Sequence, residues 1–151
     1  MDSLYVWLKF FHLLGLGVFL FGHGISAGAS LVVRSRPVDA VTGALLSASN
    51  RASAISYPGL LVLVVTGVWM GFAGSWWHAG WIWVAIGVLV ATLVVMGALS
   101  VPYHQTRDAL AKKESGSDVE TRLKQARPAA LAAVGTLAVV ILFFLMVFKP
   151  F

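Results

Sequence analysis

WIWVAIGVLVATLVVMGALSV, Trp81–Val101, runs for twenty-one residues without a charged side chain. About 20 helical residues cross a bilayer core of roughly 30 Å, so this stretch reads as a transmembrane helix. Leu4–Val33 and Ala129–Phe148 read the same way. Gly59–Gly74 is shorter and needs its helix to start upstream. Pro58 fits the first turn there and Ser56 the cap position, giving a span over about 57–74. The sequence therefore predicts an all-α, four-transmembrane-helix bundle. It forms a single integral membrane domain over 1–151, with spans at about 4–33, 57–74, 81–101 and 129–148.

Composition agrees with this. The 151 residues are 59% hydrophobic and 11% charged, with a mean hydropathy of +0.87, whereas a soluble domain carries about 25% charged residues. Between the first two spans, Val38, Val41, Leu45, Ala48, Ala52 and Ile55 recur at steps of three and four. That spacing predicts an amphipathic helix with Asp39 in its first turn, lying on the membrane surface or running into span two.

The few charges orient the bundle. Arg34, Arg36 and Arg51 follow span one, and Arg107, Lys112, Lys113, Arg122, Lys124 and Arg127 lie between Pro102 and Pro128. By the positive-inside rule these segments are cytoplasmic and both termini are outside. The tryptophans at 7, 69, 76, 77, 81 and 83 then gather towards the outer face, as an aromatic belt does. Lys9 and Lys149 are the outer exceptions and reach the headgroups by snorkelling. Reporter fusions at the Glu114–Asp118 linker are expected to report cytoplasm, and a periplasmic signal there would reverse the topology. A cleaved signal peptide ending near Ala27-Gly28-Ala29 would place the loop cations outside, against the charge rule, and no basic region precedes its apolar run.

Several chemistries are excluded at this stage. The absence of cysteine removes disulfides, thiolate metal sites, iron–sulfur ligation and covalent haem attachment. No Asp or Glu lies inside a span, which disfavours a carboxylate proton relay and a catalytic triad. Copper transport favours methionine or cysteine ligands, and Met1, Met70, Met96 and Met146 are scattered along the chain. The net charge of +5 is accounted for by cations beside leaflet lipids, so no nucleic-acid partner is expected. Gly24-x-x-x-Gly28 and Gly22-x-x-x-Ser26 fit small-residue helix packing, within the chain or across a homodimer.

The histidines remain. His12 and His23 stand in span one, about 20° apart in azimuth and about 16 Å apart along the axis. His78 falls in the outer turn and His104 follows span three, so an outer pair and an inner pair are geometrically available. Neutral imidazole ligates haem iron, and a porphyrin fits between the helices of an apolar bundle. One reading is haem b held by His12 and His23 as iron ligands, with His104 or His78 as partner. The other is hydrogen bonding and packing between helices, with no cofactor or other metal.

The segments Leu8-Lys9-Phe10-Phe11-His12-Leu13-Leu14-Gly15, Gly22-His23-Gly24, Gly71-Phe72-Ala73-Gly74-Ser75-Trp76-Trp77 through Gly80-Trp81-Ile82-Trp83, and Met146-Val147-Phe148-Lys149-Pro150-Phe151 resemble an uncharacterised family of bacterial predicted integral membrane proteins. The likeness runs over most of the chain. More distantly, Lys9-x-x-His12 is similar to the opening of the bacterial membrane-bound protoporphyrinogen oxidase and of copper-resistance D-type proteins, and Tyr103-His104 is similar to the oxidase pattern. The oxidase resemblance implies haem binding at His12. This chain departs from that pattern in span three, reading Trp81-Ile82-Trp83-Val84-Ala85 where the oxidase family carries a lysine.

Two functional classes are expected from these observations. One is a haem b protein of the prokaryotic cytoplasmic membrane with a redox or porphyrin-related role. The other is a non-enzymatic accessory subunit or small-solute or metal-handling protein, whose partners are the lipid bilayer and a second copy or a membrane complex.

Overall fold

The computed structural model describes residues 3–35, 39–111, 121 and 127–151. Four long helices form among them: α1 (Ser3–Arg34), α2 (Ala40–Ala73), α3 (Gly80–Ala111) and α4 (Pro128–Phe148), with a short 3-10 turn at Trp76–His78 joining α2 to α3. Each contains a segment long and apolar enough to cross a membrane. Large apolar side chains such as Phe21, Phe72, Val94 and Val147 are each 67% exposed. Water would penalise that surface heavily, and hydrocarbon accepts it.

Two expectations about helix ends are corrected. The segment expected to lie on the membrane surface or run into span two does the latter: it is continuous with α2, which runs for 34 residues, about 51 Å at 1.5 Å per residue. Asp39 is its N-cap, accepting from the Thr42 amide at 2.8 Å. Pro58 is therefore interior rather than in a first turn, and Ser56 is buried, donating to the Ala52 carbonyl at 3.1 Å instead of capping. Proline cannot supply the amide that would bond the carbonyl four residues back, a defect membrane helices tolerate when a neighbouring helix packs there. At the other break, α3 passes Pro102 and continues to Ala111. The Thr106 hydroxyl donates to the Pro102 carbonyl at 2.8 Å, and Tyr103 and His104 lie within the helix rather than after it. The Glu114–Asp118 linker and the cations Arg36, Lys112, Lys113, Arg122 and Lys124 lie outside the described residues.

Packing is uneven. α1 and α2 form a close hairpin because glycines remove the side chains between them. A Cβ built on Gly59 would stand 2.7 Å from the Phe19 amide nitrogen, and one on Gly15 would stand 2.9 Å from the Gly59 carbonyl oxygen. One on Gly22 would strike Ser56 Oγ and come within 2.5 Å of the Ala52 carbonyl oxygen. The same seam carries the interhelical bonds Ser26–Ser49 at 2.8 Å and Ser53–Ser26 at 3.2 Å. Ser26 thus joins the expected packing face, but Gly24 and Gly28 do not, since a Cβ on either meets open space.

α3 and α4 pair more loosely. At the tryptophan end, Trp81, Ile82 and Ala85 of α3 and Leu145 of α4 make one buried cluster within that hairpin; at the other end Val33, Leu46 and Tyr103 make a second, which joins the two hairpins. Between the hairpins, nearer the tryptophans, the bundle is hollow.

Candidate functional site

All four helices wall this cavity of about 520 Å³. Its size falls within the range of roughly 300–1,000 Å³ typical of ligand pockets. α1 contributes Lys9, His12, Leu16 and Phe19, and α2 contributes Leu63, Gly67 and Met70. Leu89 of α3 and Met146 of α4 lie on the opposite walls. Trp76, Trp77 and Trp81 close the cavity at one end. Their fold-back depends on the turn after α2. Ser75 takes a left-handed backbone with φ of 53°, and a Cβ on Gly74 would stand 2.5 Å from the Trp76 ring. Across the turn, Trp83 Nε1 donates to the Trp77 carbonyl at 3.0 Å.

His12 is the one histidine in the wall of this cavity. Its Nδ1 lies 3.1 Å from Thr66 Oγ1 on α2. The Thr66 hydroxyl has one proton, and the Val62 carbonyl at 2.6 Å takes it. His12 must therefore donate from Nδ1, which leaves the lone pair of the neutral ring on Nε2. A side chain at position 67 would crowd the ring, since a Cβ there would stand 3.0 Å from His12 Cε1. A hydrogen bond on one ring nitrogen sets the tautomer and orientation of the ring.

The other three histidines stand elsewhere. His23 stacks on Phe19 with ring centroids 5.5 Å apart, and its Nε2 lies 2.9 Å from the Cβ position of Gly135 on α4. Among the described residues it makes contacts of helix packing and no hydrogen bond. His78 is exposed on the 3-10 turn, and His104 is exposed towards the far end of α3. Neither lines the cavity. Among the described residues no three His, Cys, Asp or Glu side chains cluster to hold a free metal ion. A porphyrin, which supplies four equatorial nitrogens itself, needs only axial ligands.

Sequence reasoning missed Thr66, Gly67 and the gathering of methionines. Met70 and Met146, far apart in the chain, line the same cavity as His12. Only the register between helices reveals this, and nothing local marks it.

No curated protein and no solved structure matches the chain, so the likeness of Lys9-x-x-His12 to the oxidase and copper-resistance proteins rests on the motif alone. One family model does match, and it runs from the first turn of α1 to the residue before the C-terminal Phe151. The chain belongs to the family described as predicted integral membrane protein (DUF2269), whose model covers residues 6–150.

Proposed function

We propose that this multi-pass membrane protein binds haem b in the cavity between its two helical hairpins, where His12 would hold it through Nε2, in a redox or porphyrin-related role. The observation that carries the reading is the His12–Thr66 hydrogen bond at 3.1 Å beside a cavity of about 520 Å³. A ring held through Nδ1 presents Nε2 as its ligating atom. Met70 and Met146 are the residues in the same walls that can complete a histidine–methionine pair, a combination that raises the reduction potential of haem iron. When bound, haem supplies one-electron chemistry. The chain's own residues hold the imidazole in one tautomer and keep the site dry with Leu16, Leu63 and Leu89.

The prokaryotic cytoplasmic membrane, with the tryptophan end outward, is the location that the charge distribution favours. For His23 the packing reading is the better one, because Phe19 and Gly135 occupy its two sides.

The test is an absorption spectrum of protein purified in mild detergent after expression with added haem, before and after dithionite. A Soret band that shifts on reduction, with α and β bands appearing, is expected. Its absence would discard the haem reading and favour a non-enzymatic accessory or solute-handling role.

A further inference from the structure

The tryptophan end of the cavity has a chemistry that iron ligation does not use. Lys9 and Lys149 both line it, and they are its only charged residues. Lys9 lies one helical turn from Tyr5, which packs edge-on against Trp76 with centroids 5.8 Å apart. Lys149, just past α4, holds its Nζ 3.7 Å above the same Trp76 ring. No acidic side chain among the described residues balances the two lysines, since Asp39 and Asp108 lie at the opposite end of the bundle.

We infer that Lys9 and Lys149 form a carboxylate clamp, which takes the acidic end of an amphipathic ligand whose apolar body fills the cavity. The walls suit that body: Leu13, Leu60, Val64, Ile86 and Val139 offer hydrocarbon and no polar side-chain atoms. The charge sits at one end only, so the ligand enters with its acid towards the tryptophans. Two sources share this chemistry: a free fatty acid from the bilayer, and the carboxylates of a porphyrin. The clamp occupies the same cavity as the haem reading but uses none of its iron ligation.

The experiment titrates the full-length protein in detergent and follows tryptophan fluorescence. Palmitate is compared with methyl palmitate, and metal-free protoporphyrin with its dimethyl ester. At least one acid is expected to bind about tenfold or more tightly than its ester, as charge-assisted hydrogen bonds outweigh neutral ones. The acid that shows the preference identifies the source. The K9Q/K149Q double variant should lose the preference and K9R/K149R should retain it. Equal affinity for acid and ester with both pairs, in the unmodified protein, overturns the clamp whether or not any variant folds. So does a K9Q/K149Q protein that keeps the preference. Because neither probe carries iron, the acid preference is read without any Soret band. A missing Soret band and a missing acid preference are therefore separate failures.

Discussion

His12→Ala is expected to remove the Soret band from the purified protein, while His23→Ala, His78→Ala and His104→Ala leave it in place. The reason is positional. His12 alone among the four lines the cavity, and its tautomer is set by Thr66. Thr66→Val should weaken haem retention by about 10- to 100-fold, the usual cost of losing the group that orients a metal-ligating histidine. These effects are separable from unfolding. Deleting the His12–Thr66 bond removes one interhelical hydrogen bond, worth on average about 0.6 kcal/mol in a membrane protein and at most about 1.7. The helical content of His12→Ala should therefore be unchanged by circular dichroism. An undiminished Soret band in His12→Ala would eliminate it as the ligand, and a band lost equally in His23→Ala would move the site towards α4.

The second large effect concerns the glycine seam. Gly59→Val and Gly22→Val are each expected to destabilise the bundle by about 1–3 kcal/mol or more, the cost of overpacking a close interface. At Gly59 the new carbon meets backbone atoms of Phe19 and Gly15, which cannot rotate away as a side-chain end can. Gly24→Val and Gly28→Val enter open space and should lie within about 0.5 kcal/mol of the unmodified protein. Thermal denaturation in one detergent, followed by loss of monodisperse protein, measures the contrast. Equal losses at all four positions would mean that Gly24 and Gly28 also face a helix, in a second copy of the chain.

The comparison of these glycines shows what could be read from the text and what could not. Gly22 and Gly24 are two residues apart in the same span and look alike in sequence, yet one lies against Ala52 and Ser56 and the other faces outward. The expectation placed Gly22-x-x-x-Ser26 and Gly24-x-x-x-Gly28 on equal footing, and only the first lies on the seam. The same ambiguity lengthened α2. Ser47, Ser49, Asn50 and Arg51 depress local hydropathy, so the apolar run starts later than the helix does. The start of the helix beside Asp39 is legible in the sequence, but Asp39 caps it rather than standing in its first turn. Pro58 and Pro102 were read as boundaries because proline removes an amide, but inside a bundle each sits within a continuous helix. The histidines divide in a similar way. Azimuth along α1 could be counted from the sequence, whereas Thr66, Gly135 and the separation of the hairpins at the cavity could not.

Hydropathy and charge along the chain establish that it spans a membrane, how many times it does so, and where the tryptophans and cations concentrate. Each of these depends on the transfer of one side chain between water, headgroups and hydrocarbon, and that free energy is local to the residue. Tertiary structure alone decided which face of each helix meets another, because lipid and bundle interior are both apolar and no polar stripe marks the difference. Joining His12 to Thr66, gathering Met70 and Met146, and bringing Lys9 and Lys149 to one cavity all required register between helices distant in sequence. Close backbone approach at Gly15, Gly22 and Gly59 sets that register for α1 and α2.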